Sequence, residues 1–399
     1  MGMMTMKSEP HIYSISEFKQ EMSRILSSRK EIYPSDDVFC GTIKGKDGFE
    51  EIRTHRGDKV LFPINFQYLF LFRGQNMEYI PCLPTLYRMN LDVYSQIVER
   101  MKYHLFEQLL YSHPIVTDFF QVHNYRVDVE GLAQHYGLNT TVLDFTSDLD
   151  VALFFATCKY NRNMDSYECY NDRKKHKAVL YVINPFIHGD ITKTDDVVNL
   201  FENRITCIGL QPFARPGVQK GFAYHCTPGH QALQAIMYHI EFTTNESRKY
   251  FAKYKEGQKL WVQDELVSKT KLIKSQRCFS RDVFEQSAIE VMGYDSSLED
   301  IAQELNRRGI VINNSLLQQN VCLSLEERTH IIDRWYSGES KKFSSSLFHR
   351  ETIRDGVKYN ELDMEAIVHM CMLDIAASGL QFPQGGVVKD YNKQENNEQ

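Results

Sequence analysis

The sequence predicts an α+β fold, in which helices pack on a mixed or antiparallel sheet and a helical region follows. Two observations lead to this prediction. Apolar runs of strand length alternate with helical segments through the first 290 residues, and from Leu298 onward helical patterns stand alone. The chain has 399 residues, of which 42% are hydrophobic and 12% aromatic, so it can bury one large core or two ordinary ones.

The N-terminal part predicts one helix followed by loops. Ser14-Ile-Ser-Glu17 has the spacing of a capping box, and Phe18 and Met22 then share one helical face. Residues 28–60 are charged and contain glycine, which is typical of loops, with one short strand at 38–40.

A buried strand and two helices are predicted next. The apolar run 60–72 leads into Phe72-Arg73-Gly74, so we expect a buried strand that carries Arg73 at its end. Residues 91–111 have apolar side chains every four positions, which indicates a helix. A shorter helix is predicted over 130–136, ending at Gly137.

The remaining elements complete the α+β pattern. Helices are predicted at 148–160, 298–308, 324–336 and 363–377, and strands at 178–183, 221–224 and 236–242, with 160–177 as a surface excursion. The residues after Gly385 are rich in Asn, Gln, Lys and Glu, a composition that predicts disorder.

Composition and charge restrict the class of protein. A net charge of −6 provides no basic excess for non-specific phosphate binding, although it does not exclude nucleic acid as a partner. Nine cysteines without a C-x-x-C pair favour free thiols in a reducing compartment, and no run approaches the length of a membrane span. We therefore expect a cytoplasmic protein that has no membrane partner.

The stretch 131–146, which covers the end of the predicted helix at 130–136 and the polar loop predicted before the helix at 148–160, is dense in side chains that hydrogen-bond or titrate. It contains Gln134, His135, Thr140, Asp144 and Thr146. Neutral imidazole can hydrogen-bond a hydroxyl or accept a proton, but such a histidine is also often structural. The threonines can contact a ligand or simply cap the helix that follows.

Arg73 is the strongest single candidate for a binding residue. A guanidinium removed from water needs a carboxylate, a phosphate or several carbonyl groups as partners. Arg73 can therefore hold the phosphate or ribose of a ligand, with Gly74 letting the ligand approach the backbone. Alternatively, it forms an internal ion pair with Asp144, whose carboxylate is otherwise a catalytic candidate.

No metal site is predicted. His225, Cys226 and His230 offer ligand atoms, but no second ligand pair follows at the spacing of a zinc site.

Four sequence blocks, in this order and spacing, resemble the FRG domain family. They are Phe72-Arg73-Gly74, then Gln134-His135-x-Gly137-Leu-x-Thr140-x-x-Leu143-Asp144-x-Thr146, then Ala152-Leu-Phe-Phe-Ala156, and finally Arg215 with Gln219 and Gly221-Phe222. Where the family usually has Pro-Thr-Arg, this chain has Asn139-Thr140-Thr141 and so lacks the basic group. The resemblance covers an FRG-like domain over about 60–290. Together with the residue patterns, it leads us to expect an N-terminal helix with loops over 1–59, a helical C-terminal region over 291–384 and a disordered tail over 385–399.

A looser similarity links the same residues to ADP-ribosyltransferases, which combine an early arginine, a second motif with hydroxyl or histidine groups, and a late Glu or Gln. This similarity implies an enzyme that uses NAD as substrate, and a role as a toxin or phage-defence effector. It assigns catalytic roles to His135, Asp144 and Gln219. It assigns NAD binding to Arg73, Gly74, Gln134, Thr140, Thr146 and Phe222.

Two other functions remain open from the residues alone. One is a non-catalytic module that binds a nucleotide or a protein, which the absence of an obvious late catalytic glutamate favours. The other is a nuclease, in which His135 and Asp144 serve as acid and base or as metal ligands. The macromolecular target is not predicted.

Overall fold

The computed structural model describes residues 11–32, 56–63, 70–184, 204–226, 235–313 and 321–339, with short gaps at 80, 90, 162–163, 165 and 295. It also describes short strands at 42–43, 46–47, 49–53, 352–354, 357–359 and 387–388.

Helices and strands alternate along the described chain. The helices are α1 (Ile15–Ile32), α2 (Thr85–Arg88), α3 (Val93–Ser112), α4 (Pro114–Thr117), α5 (Val129–His135), α6 (Leu149–Thr157), α7 (Ala214–Val218), α8 (Thr244–Lys253), α9 (Glu265–Ser275), α10 (Arg281–Met292), α11 (Leu298–Arg307) and α12 (Leu325–Arg334). The strands are β1 (Ile12–Ser14), β2 (Thr42–Ile43), β3 (Lys46–Asp47), β4 (Phe49–Arg53), β5 (Lys59–Pro63), β6 (Leu71–Gln75), β7 (Val142–Thr146), β8 (Cys158–Asn161), β9 (Ser166–Cys169), β10 (Lys175–Ile183), β11 (Ile205–Cys207), β12 (Gly221–His225), β13 (Ile236–Thr243), β14 (Cys278–Ser280), β15 (Val311–Asn313), β16 (Thr352–Arg354), β17 (Val357–Tyr359) and β18 (Val387–Val388). Single π-helical turns follow α4 and α12.

The main sheet has the strand order β1-β13-β10-β6-β7-β12-β11, and β18 also pairs with β13. β1 runs parallel to β13, whereas the other neighbours are antiparallel, so the sheet is mixed. Because helices pack on this sheet, the predicted α+β class is confirmed.

The sheet is weakly joined at its centre. β6 pairs with β10 over five residues, and β7 pairs with β12 over five residues. Between β6 and β7, however, the only backbone pair is Phe72 with Thr146. Each half of the sheet is therefore well paired internally, and the two halves separate on one side of this pair. We call this opening the β6–β7 gap.

Two large apolar clusters form most of the core of the described residues. The first lies on the sheet and combines inward-facing residues of β10 and β13, such as Leu180 and Tyr238, with side chains of α1 and α6. The second is helical and joins α3 and α5 to the C-terminal helices, since Ile97 of α3 belongs to the same cluster as Ile301 and Leu305 of α11. The helices after residue 290 therefore share a core with α3.

Most predicted elements are confirmed within a few residues. In α1 the backbone N–H of Glu17 donates to the Ser14 hydroxyl and the Glu17 carboxylate accepts from the Ser14 N–H, which is the predicted capping box. α5 ends at His135, and the turn after it contains Gly137, whose positive φ of 77° suits a residue without a side chain. The predicted helix at 91–111 and the predicted strands at 178–183, 221–224 and 236–242 are also present.

Four boundaries differ from the prediction. Arg73 is the third of five residues in β6 rather than its last, because Gly74 and Gln75 continue the pairing with β10. Residues 142–146, taken from their polar side chains as a loop, form the strand β7, in which Leu143 and Phe145 are buried. The helix predicted to end at residue 160 ends at Thr157, and the chain then forms the strand β8. Part of the predicted loop 28–60 is the β4–β5 hairpin.

The predicted strand at 38–40 and the predicted helix at 363–377 lie outside the described residues. Within the predicted tail, the structure describes only Val387–Val388, as a strand on β13. Among the described helices, none combines the length and the apolar character that crossing a bilayer requires.

Gly74 allows α6 to lie directly against β6. A Cβ atom added at Gly74 would lie 1.8 Å from the carbonyl oxygen of Ala152 and 2.9 Å from the backbone nitrogen of Ala156. Both atoms belong to the backbone, so they cannot rotate away as a flexible side chain can. The absence of a side chain at Gly74 therefore allows α6 to pack against β6, whereas the sequence predicted that it allows a ligand to approach the backbone.

We expect Gly74→Ala to lower the free energy of unfolding by about 3 kcal/mol, because α6 must shift to accommodate one methyl group. Chemical denaturation followed by circular dichroism measures the loss. Gly338→Ala is the matched control, since no atom lies within 4 Å of its added Cβ. Equal stability of the two variants would show that α6 does not constrain position 74.

Candidate functional site

A small polar cavity lies at the β6–β7 gap. Its volume is about 20 Å³, which is enough for roughly one water molecule. The side chains and backbone that line it come from β6, α5, β7, α6 and the turn before β12: Phe72, Arg73, Gly74, His135, Asp144, Phe145, Thr146, Phe155 and Gln219. Six of the nine predicted site residues therefore meet at one place.

Arg73 forms the ion pair with Asp144, one of the two alternatives that the sequence left open. Its Nη1 donates to the Asp144 carboxylate oxygen Oδ1 at 2.5 Å and to the Asp144 backbone oxygen at 2.9 Å. When the Gln75 amide presents its oxygen, that oxygen accepts from Arg73 Nε at 3.2 Å and Nη2 at 3.0 Å. The guanidinium thus links the two strands across the gap, and only 12% of the side chain is exposed.

Asp144 is ionised and partly open to solvent. Burial acts to raise the pKa of its carboxyl group, but the Arg73 charge and hydrogen bond outweigh burial and hold the pKa below its usual value. About 38% of the side chain is exposed, in contrast to the buried neighbours Leu143 and Phe145. A fixed negative charge therefore faces the opening of the cavity.

Gln134 and Thr140 do not line the cavity but are connected to it by hydrogen bonds that lead to Asp144. The Thr140 hydroxyl donates to Gln134 Oε1 at 2.6 Å, and Gln134 Nε2 donates to Asp144 Oδ1 at 3.4 Å. Thr140 is fully buried and lines no part of the cavity. These two residues orient the carboxylate; in this conformation neither touches the space where a ligand would lie.

His135 lines the cavity and carries a buried polar atom for which the described residues provide no partner. Only 6% of the residue is exposed, and within the described chain its Nε2 has no hydrogen-bond partner. Burial lowers the pKa of the imidazole to about 4, with the Arg215 charge adding to this effect and Asp144 opposing it. His135 is therefore neutral at pH 7, and a ligand or a water can satisfy its free nitrogen.

Thr146 and Gln219 connect β7 to the turn before β12. The Thr146 hydroxyl donates to the Gln219 carbonyl oxygen at 2.7 Å and accepts from the Asp148 N–H at 3.0 Å, next to the start of α6. Gln219 Nε2 donates to the Leu260 carbonyl oxygen at 2.9 Å. Both side chains line the cavity, but each already has a partner.

Phe222 does not line the cavity. It lies opposite Phe145 in the pairing of β12 with β7 and is almost fully buried. In this structure Phe222 is a core residue, and the predicted contact of its ring with a ligand finds no support.

Two residues of the site were missed as contributors to it. Gln75 contacts the Arg73 guanidinium, and its position two residues further along β6 places it on the same face of the strand, a signal visible in the sequence. Phe155, part of the Ala152–Ala156 sequence block, lines the cavity from α6.

Arg215, quoted only as part of a motif, supports the site from behind. It donates to the backbone oxygens of His135 and Val262, and its guanidinium lies between the rings of Tyr136 and Trp261. It thereby fixes the end of α5 that carries His135.

The described residues contain no group of three His, Cys, Asp or Glu side chains placed to hold a metal ion. His225 hydrogen-bonds Asp128 at 2.9 Å through Nε2, whereas His230 lies outside the described residues.

The depressed pKa of His135 predicts acid sensitivity. The folded value is about 4 and the ordinary value is 6.5, so the stabilisation is complete above pH 6.5 and is lost as the pH falls towards 4. From pH 7.5 to pH 5.0, His135 alone removes about 2 kcal/mol from the free energy of unfolding. Urea denaturation at both pH values measures the change.

The variant His135→Gln should lose this part of the pH dependence, while His330→Gln, at an exposed position of α12, controls for removal of an imidazole. A wild-type protein and a His135→Gln variant with the same pH dependence would contradict a neutral, buried His135.

Comparison with known proteins identifies one domain. Residues 69–165 match the family model of the FRG domain. That range includes Arg73, His135 and Asp144 but not Gln219 or Phe222. Neither the curated proteins nor the solved structures that were searched give a match to this chain. The chain therefore contains an FRG domain over residues 69–165, and this domain carries the Arg73–Asp144 ion pair and the neutral His135 at the central gap of the sheet.

Proposed function

We propose that this FRG-domain protein is an ADP-ribosyltransferase-like enzyme that binds NAD at the β6–β7 gap and cleaves the bond between nicotinamide and ribose. The observation that carries the proposal is the meeting of three separate motifs at one cavity. Arg73 is 71 residues from Asp144, and Thr146 is 73 residues from Gln219, yet all four line the same space. An early arginine, a second motif and a late Gln are the parts that the similarity to ADP-ribosyltransferases requires.

The gap supports the proposal because it provides a place where a ligand can enter the sheet. A cavity of about 20 Å³ is far too small for a dinucleotide. Most of NAD must therefore lie across the opening, or the two half-sheets must separate. Since a single residue pair joins β6 to β7, separation there breaks fewer backbone contacts than at the five-residue pairings on either side.

The charges at the opening suit glycosidic cleavage. The transition state resembles an oxocarbenium ion, so a preorganised negative charge near the ribose lowers its energy. Asp144 is ionised, partly exposed and held by Arg73 and Gln134, which makes it the group that best meets this requirement. His135 remains neutral and offers Nε2 to a ribose hydroxyl or to the attacking water.

Arg73 has a different role from the one first assigned by similarity. Its donors are directed to Asp144 and Gln75, so it orients the carboxylate before a ligand arrives. A phosphate or ribose of NAD that binds Arg73 Nη1 must displace Asp144, whose two oxygens accept both hydrogens of that nitrogen. Loss of cellular NAD or modification of a target would then make the protein a toxin or a defence effector.

A non-catalytic binding module is the second candidate. The observation that favours it is that protein acceptors already engage four of the five N–H donors of the Arg73 guanidinium, including both at Nη1. The assay for nicotinamide release separates the two candidates.

We expect the wild-type protein to release nicotinamide from NAD. The rate of release by Arg73→Lys should be lower by a factor of about ten or more, because lysine keeps the charge but loses the planar fork. Chromatography of the products measures the rate, and thermal melting shows that both proteins are folded. Arg307→Lys, at a side chain that is 72% exposed on α11, is the matched control and should retain the wild-type rate. Wild-type protein that binds NAD without releasing nicotinamide would establish the binding module instead.

We expect Asp144→Asn to lower kcat about a hundredfold while KM for NAD changes little, since the amide keeps a hydrogen-bond acceptor for Arg73 but removes the charge that stabilises the transition state. Asp150→Asn is the control, because Asp150 lies on the same domain but pairs with Lys19 and Lys253. An equal kcat in wild type and Asp144→Asn would exclude Asp144 as the source of this stabilisation.

A further inference from the structure

A second and larger cavity lies on the helical side of the molecule, along α3. Its volume is about 260 Å³, close to the ~300 Å³ lower end of the range for small-molecule sites. Its walls come from α3, from residues 274–277 at the end of α9, and from residues 308–310 after α11. It shares no residue with the cavity at the β6–β7 gap. We call it the α3 cleft.

The α3 cleft is positively charged although the protein carries a net charge of −6. Four cations line it, and Glu99 is the one carboxylate in the lining. The cations are Lys102, Lys274, Arg277 and Arg308. Such a concentration of positive charge in a concave site attracts anions.

Structural roles account for only part of this charge. Lys102 pairs with Glu99 at 2.7 Å, and Arg308 pairs with Asp92 and Glu304 at 2.8 Å. Lys274 and Arg308 also lie at the ends of α9 and α11, where cations stabilise the helix dipole. Arg277, in contrast, forms no ion pair with any described residue, so its guanidinium keeps its charge available at the cleft.

The cleft also has an apolar part. Tyr94 and Val98 are one helical turn apart on α3, and Met89, Leu91 and Ile310 complete this part of the lining. The Arg308 guanidinium lies 4.6 Å from the centre of the Tyr94 ring. Eight residues of helix separate Tyr94 from Lys102, a distance of about 12 Å along the axis. The cleft thus has an aromatic ring at one end of this distance and the Lys102 ammonium group at the other, a spacing that an elongated small molecule can span.

We propose that the α3 cleft binds a phosphate-bearing small molecule of about the size of a nucleoside monophosphate. Arg277, Lys274 and Lys102 hold the phosphate, for which an arginine fork and lysine charges are the usual partners in proteins. The body of the molecule lies against Tyr94 and Val98. This site does not depend on NAD chemistry at the β6–β7 gap.

Two residues that line the cleft also lie against the turn between α5 and β7. Glu99 accepts a hydrogen bond from Asn139 Nδ2 at 2.8 Å, and the Lys274 ammonium group lies next to Gly137. Asn139 and Gly137 belong to the turn that separates His135 from Asp144. A ligand in the cleft is therefore separated from the candidate catalytic residues by this turn alone.

Isothermal titration calorimetry on the full chain tests the proposal with AMP, ribose 5-phosphate, pyrophosphate and adenosine. We expect the phosphate-bearing probes to bind and adenosine to bind at least about tenfold more weakly. Arg277→Glu should weaken AMP binding about tenfold or more, as expected for the loss of a charge-assisted hydrogen bond. Arg277→Gln should give a smaller loss in the same direction.

Two controls locate the site. Arg307→Glu reverses a neighbouring exposed charge that does not line the cleft and should leave AMP binding unchanged, as should Arg73→Lys at the β6–β7 gap. Thermal melting confirms that each variant is folded. The proposal is overturned if none of the phosphate-bearing probes binds wild-type protein, if Arg307→Glu weakens AMP as much as Arg277→Glu does, or if binding is lost in Arg73→Lys and kept in Arg277→Glu.

Discussion

The ion pair between Arg73 and Asp144 is the interaction on which the candidate site depends. It lies between β6 and β7, which are joined by a single backbone residue pair. At this junction the side chains, rather than backbone pairing, hold the neighbouring strands together. The same contact fixes the carboxylate in its ionised form and leaves part of it exposed. Structure and chemistry are therefore coupled at this position, since a ligand that displaces Asp144 from the guanidinium also weakens the connection between the two half-sheets.

Around this pair the site has an ordered arrangement of neutral and charged groups. Thr140 and Gln134 hold the carboxylate from one side, and Gln75 holds the guanidinium from the other. His135 lies beside them without a charge, and its Nε2 has no partner among the residues that the structure describes. An environment that stabilises one negative charge while keeping the adjacent imidazole neutral is typical of sites that bind a polar substrate.

Local sequence patterns predicted most of the fold and much of the membership of the site. Capping boxes, four-residue apolar spacing and terminal glycines located α1, α3 and α5, since these signals act within a few residues. They failed at β7, where polar side chains at Asp144 and Thr146 hid a central strand, because burial on both faces of a sheet depends on strands that lie far away in the chain. For the same reason the sequence could not place Phe222 in the core or show that Arg73 already has partners.

The boundaries of the FRG match have a consequence for the folding unit. Residues 69–165 contain β6 and β7, but the strands that flank them, β10 and β12, lie beyond residue 165. A fragment cut to the matched range would expose the hydrogen-bonding edges of two central strands, and unpaired edges of this kind promote aggregation. The matched range is thus shorter than the smallest piece of this chain that can form the native sheet.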